Sequence, residues 1–241
     1  MPELSANFLL FGLIWYLVFL LSLTLHEAGH ALAAYWMGDE TAYLGGQVTI
    51  NPLPHIQREP IGTVVLPLLS YLLTGNIWGW ASAPYNLHWR LRYPGRALVM
   101  AMAGPLANFF LMVVTLAGMM ALLHGGLINP EDLFDDGLLR YPLELLTNEP
   151  SPPLIKVYAV IFLVSLQNLI LMVFNLIPVP PLDGSAIWQL VLPPRLFERY
   201  LEFSLQPSFV MLGVIAASGL FNRYLIGDIF WVYFRVLFWS F

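Results

Sequence analysis

Four stretches of this chain, residues 8–36, 97–124, 154–177 and 203–221, are apolar over the length of a bilayer crossing. A spanning helix needs roughly 20 mostly apolar residues. Residues 224–241 form a shorter, aromatic-rich further candidate. Charged residues make up only 10% of the chain, against about a quarter in a soluble domain. So few charges cannot coat a water-facing surface. The expected fold is therefore an all-α polytopic membrane protein, a bundle of about five to six transmembrane helices. The N-terminal "MPELSANFLLFGLIW" lacks the Lys/Arg region of a cleavable signal, so the first apolar run is expected to stay as a span. No linker or repeat marks a second domain, which leaves one membrane-embedded domain over 1–241.

Interruptions in the apolar pattern predict two irregular elements. Residues 61–81, "IGTVVLPLLSYLLTGNIWGWA", are apolar but broken by Pro67, Gly75 and Gly79, so they either span or dip in and return. Residues 45–50, "GGQVTI", alternate and are rich in β-formers before Asn51-Pro52. They are expected to form a short strand or β-hairpin near the active site. Residues 182–192 are too short to span and read as a short helix.

Charge orients the bundle. The loop "PYNLHWRLRYPGR" holds Arg90, Arg92 and Arg96 and no acid, whereas residues 125–153 hold Glu131, Asp132, Asp135, Asp136, Glu144 and Glu149 against Arg140 alone. The positive-inside rule places the arginine loop in the cytoplasm, so 97–124 runs outward and 154–177 returns. Net charge is −5 with no basic patch, so nucleic acid is not an expected partner.

The chemistry lies where polar residues enter this apolar background. "LHEAGHA" places His26 and His30 one helical turn apart on one face, where both imidazoles reach a single Zn²⁺. Glu27 between them can hold a water at the metal and take its proton. The chain has no Cys, so any metal must use His, Asp or Glu. A catalytic zinc takes three protein ligands, and the third must be distant in sequence. Asp183, in "FNLIPVPPLDGSAIW", follows a helix-breaking run of prolines. Non-helical backbone near membrane depth is tolerated only where it is buried or lines a wet cavity. Asp183 reads equally as a ligand or as the N-cap of the next helix. Asn175 reads equally as a donor to the oxyanion of peptide hydrolysis or as a cap for carbonyls freed by the prolines. Asn108 is an amide at membrane depth that either braces the site or bonds a neighbouring backbone. Ala103, Gly104 and Ala107 read as close-packing small residues. His55 reads as a surface or interfacial residue before it reads as a ligand, and Asp39 and Glu40 as interfacial charges. If the 45–50 strand exists, Gly46 and Val48 would pair with an unwound substrate by edge addition.

His26 and His30 can meet Asp183 only if the first span runs inward. Residues 61–81 would then begin and end on the cytoplasmic side and be re-entrant.

Taken together, His26-Glu27-Ala28-Gly29-His30, Ala103-Gly104-Pro105-Leu106-Ala107-Asn108 and Asn175…Pro178…Leu182-Asp183-Gly184 resemble, in order and spacing, the site-2 protease family of intramembrane zinc metalloproteases. "GGQVTINPLPHIQREPIGT" and "GWASAPYNLHWRLR" look like its compact bacterial branch. The likeness covers about residues 8–192, with 200–241 as accessory helices. It implies one Zn²⁺ per chain on His26, His30 and Asp183, and Glu27 as general base. It also implies an active site towards the cytoplasmic side of the cell membrane, and transmembrane protein substrates met in the lipid bilayer. Members often carry a PDZ or CBS domain, and none is expected here. A membrane regulator or a homo-oligomer is left open. A transporter or metal permease is the alternative, since it too would place His and Asp at midplane on broken helices.

Overall fold

The computed structural model describes residues 4–129, 133, 146, 152–204 and 206–239. The acidic residues of 125–153 and Arg140 lie outside them. Every regular element among the described residues is helical. Helix α1 (Ala6–Trp36) begins at Ser5, whose hydroxyl accepts from the Phe8 amide and so satisfies one free N–H of the first turn. Short helices α2 (Thr41–Leu44) and α3 (Pro52–Arg58) follow. Next come α4 (Ile61–Thr74), α5 (Leu87–Arg92), α6 (Pro94–His124) and α7 (Pro153–Asn175). A 3-10 turn, Asp183–Ile187, leads into α8 (Trp188–Val191). Helices α9 (Pro194–Ser204), α10 (Pro207–Leu220) and α11 (Ile226–Leu237) complete the chain.

Among the described residues, four helical runs are long and apolar enough to cross a membrane: α1, α6, α7 and Ser208–Leu237. The two C-terminal candidates of the sequence are thus one run, in which α10 passes into α11 through a π turn at Phe221–Leu225. Helix α4 has 14 residues, about 21 Å of helix, which is short of a core about 30 Å thick. Gly75 ends it with φ +75, and the chain returns without regular structure. The return meets the start at its base. Trp80 donates to the Gly62 carbonyl at 3.0 Å, and the Ser82 hydroxyl donates to Glu59 at 2.6 Å.

No β-hairpin forms at 45–50. Gly45 and Gly46 cap α2 instead, with Gly46 at φ +70. The amides of Gly45, Gly46 and Gln47 donate to Thr41, Tyr43 and Ala42. This is a glycine-centred helix stop, and it uses the amides that a strand edge would offer. The edge pairing expected of Gly46 and Val48 therefore has no strand to rest on.

Three spans set the scaffold. The end of α1 meets the start of α6, where Arg96 and Trp89 both donate to the Met37 carbonyl. The two helices are therefore antiparallel. Asp183, just past α7, returns to the His26–His30 level of α1, so α7 runs parallel to α1. Gly29 lets α1 and α6 close up, since a Cβ there would sit 2.9 Å from the Ala103 carbonyl oxygen. Lipid tails are as apolar as these side chains, so such close packing holds helices together where burial from water does not. Leu13, Leu17 and Leu21, one turn apart and about half exposed, mark the face of α1 turned from the bundle. The motif-free C-terminal helices prove to back the loop that carries Asp183. Ala217 and Phe221 pack with Ile177 and Leu182, and Gly213 lies against the Pro180 carbonyl with no room for a Cβ.

Candidate metal centre

His26 and His30 are almost fully buried on α1, with Nε2 atoms 3.0 Å apart. Asp183 Oδ2 lies 3.0 Å from one and 3.2 Å from the other. The N-cap of the turn that follows is Leu182 and not Asp183; the Asp183 carboxylate turns to the histidines. Gly184 permits this fold-back, because a Cβ there would strike the Leu176 carbonyl.

The outer ring nitrogens decide which atoms carry protons. His30 Nδ1 lies 2.8 Å from the Met100 carbonyl, which only accepts, so Nδ1 holds the hydrogen. His26 Nδ1 lies 2.5 Å from Asn108 Oδ1. That amide cannot be flipped, because its Nδ2 donates to the Ser22 carbonyl and to Asn168 Oδ1 at 2.7 Å. Asn168 is fixed in turn by donating to the Val164 carbonyl at 2.8 Å and to the Ser22 hydroxyl at 2.9 Å. Asn108 and Asn168 are both fully buried. A chain of hydrogen bonds anchored on backbone carbonyls thus fixes each ring with Nδ1 turned outward and Nε2 turned to the Asp183 carboxylate.

Both Nε2 atoms and a carboxylate oxygen therefore converge on one space. A metal ion at its centre would take these three atoms as ligands. Tetrahedral zinc with bonds of about 2.0–2.1 Å needs ligand atoms about 3.3 Å apart, close to the separations here. Gly104 leaves the space: a Cβ would meet His30 Nε2 and would lie 2.7 Å from His26 Nε2. The donor set fits Zn²⁺.

Glu27 is buried on the same turn. Its carboxylate and the two imidazoles offer ligand atoms within 4.8 Å of one another. It lines a cavity of about 190 Å³ together with His30, Asp183, Ser82, Tyr85 and Arg90. Carboxylate, ligands and open space thus lie where a water and a peptide bond would have to meet.

A family model matches the chain over residues 14–218. The chain belongs to Peptidase family M50. It is 32% identical over 177 residues to "Putative zinc metalloprotease YwhC" of Bacillus subtilis, covering 73% of this chain and 67% of that protein. It is 28% identical over 214 residues to "Putative zinc metalloprotease Rip2" of Mycobacterium tuberculosis, covering 89% and 70%. The protein of that name from Mycolicibacterium smegmatis is also 28% identical, over 216 residues. No solved structure matches the chain.

The remaining site candidates of this M50 chain sit elsewhere. Asn175 Nδ2 donates to the Leu171 carbonyl at 3.0 Å, and the residue does not line the cavity. His55 is not at the surface: it is 2% exposed, and its Nε2 lies 3.1 Å from the Thr49 carbonyl. It steadies the turn before α3 and does not line the cavity. Gly46 and Val48 belong to the turn after α2 and also lie off the cavity. Asp39 is a buried brace and no interfacial charge, accepting from Thr41 and from the Asn86 amide at 2.7 Å. Sequence reasoning missed Asn168, Ser22 and the Met100 carbonyl. An amide in an apolar span was the available signal for Asn168; nothing marks a backbone acceptor.

Proposed function

We propose that His26, His30 and Asp183 hold one Zn²⁺ and that Glu27 is the general base of peptide-bond hydrolysis in this cavity. The observation that supports it best is the convergence of two imidazole Nε2 atoms and a carboxylate oxygen at 3.0–3.2 Å around the space kept open by Gly104. The chain is a multi-pass membrane metalloprotease of the site-2 type, acting on membrane protein substrates. Zinc, when bound, polarises the scissile carbonyl and acidifies a water.

The protein's own residues do the rest. Glu27 takes the proton of the attacking water and can return it to the leaving amine. Asn108 and the Met100 carbonyl hold the imidazoles in the tautomer that binds metal. A helical substrate hides its backbone and must unwind to enter. The arginine loop lies at the same end of the bundle as the site, and the positive-inside rule supports placing that end in the cytoplasm. Helix α4, too short to cross and closed at its base, then enters and leaves from that side.

The test is metal analysis together with cleavage of a model transmembrane substrate. Glu27→Gln should keep zinc and lose about 10²–10⁴-fold in activity. Asp183→Ala should lose zinc. A transporter would tolerate Glu27→Gln and move its substrate into proteoliposomes; that outcome, or full zinc in Asp183→Ala, would overturn this reading.

A further inference from the structure

We infer that Arg90 is a specificity residue that holds a carboxylate of the substrate inside the catalytic cavity. This rests on the proteolytic reading of the site and adds a substrate class to it. Arg90 is the one Lys or Arg among the residues lining the cavity that also holds Glu27 and Asp183. It is set there firmly. Its Nη1 donates to the Tyr85 hydroxyl at 2.7 Å, and its guanidinium lies 5.1 Å from the Tyr85 ring and 5.8 Å from the ring of Phe197 on α9. No carboxylate lies within ion-pair distance of it among the described residues. Its Nε is buried and has no partner.

Arg90 is half-buried, and a buried Nε–H without a partner is costly unless an acceptor such as an oxyanion completes it. Its planar fork matches a carboxylate with two parallel hydrogen bonds. The two rings hold the fork in place, so little conformational freedom is lost on binding. Arg90 also answers a problem of charge. Glu27 would repel an acidic substrate group from the cavity, and Arg90 offers that group a counter-charge. The carboxylate has two sources: an acidic side chain flanking the cleaved bond, or the α-carboxylate of a chain that ends just past it.

The experiment uses the purified full chain with zinc and a panel of transmembrane substrates. In one arm a single Asp is moved through the positions flanking the cleaved bond, each paired with Asn. In the other, substrates end shortly after that bond in a carboxylate or an amide. For the wild type, one acidic position or the free chain end should raise kcat/KM about 10-fold or more over its neutral partner, mostly through KM. Arg90→Gln should bring that ratio to near 1, and Arg90→Lys, which keeps the charge without the fork, should leave only part of it. Zinc content and the melting temperature, read for each variant, separate a lost preference from a lost fold. If Arg90→Gln does not fold, the reduced ratio in Arg90→Lys decides. A wild type that cleaves with no preference for a carboxylate, or an Arg90→Gln that keeps the preference, overturns the role of Arg90. A zinc-loaded wild type that cleaves nothing overturns the proteolytic reading and this inference with it.

Discussion

Gly104→Ala puts one methyl group where the metal must sit. The added carbon would lie 2.7 Å from His26 Nε2, which is 0.7 Å inside the 3.4 Å where ordinary van der Waals contact begins, and it would be nearer still to His30 Nε2. A zinc site tolerates about 0.2 Å of change in its bond lengths, so the smaller of the two displacements already exceeds that tolerance several-fold. Neither ring can step aside cheaply: His30 is tied to the Met100 carbonyl and His26 to Asn108. At least one ligand should be lost, with zinc affinity falling about 100-fold or more. The fold should survive, because without metal the imidazoles can turn away from the methyl. The assay is zinc stoichiometry and chelator competition on detergent-purified protein, with a thermal melt read after metal removal. Gly118→Ala on the same helix is the control. A Cβ there meets nothing within 4 Å, so it should keep zinc and gain up to about 1 kcal/mol from helix propensity. Gly104→Ala protein that binds zinc as tightly as wild type would refute the claim that this glycine defines the metal space.

Asn168→Ala should weaken zinc about 10- to 100-fold without touching a ligand, read by chelator competition, because Asn108 loses the acceptor that fixes its orientation. Gly213→Val should lower both zinc occupancy and melting temperature, since the side chain must push the Pro180 carbonyl and with it the Asp183 loop. Stripping zinc from wild type should lower the melting temperature reversibly, by the equivalent of about 4 kcal/mol where free zinc had stood at 1,000 times its dissociation constant. The same treatment should not move the melting temperature of Asp183→Ala.

Polar side chains were legible because the background is apolar. His26, Glu27, His30 and Asp183 stand out in a chain with so few charges, and the prolines before Asp183 announce a break that must be buried or wet. The opposite directions of 97–124 and 154–177 followed from where the arginines and the acids lie. The failures share a cause. Alternation in "GGQVTI" suggested a strand, but a glycine pair following a helical turn closes that helix with its own amides, and the periodicity of side chains does not report where amides go. Gly104 looked like a packing residue, and it is one, but what it meets on α1 is the two imidazoles. The support that α10 gives to the Asp183 loop is a fit between apolar faces, which leaves no pattern in the sequence.

The position of the histidines along α1 sets how far water must travel. His30 lies six residues before Trp36, which ends the helix and is 71% exposed, so the metal space lies about 9 Å below that end. Indole rings at span ends gather at the lipid headgroups. On the proposed site, the reaction would take place roughly a third of the way into a core about 30 Å thick, and its water would need to travel only that far from the near side. A substrate helix need surrender only its last two turns to reach the catalyst, and its scissile bond is expected there, close to its own headgroup anchor, while the rest of the helix stays folded in lipid.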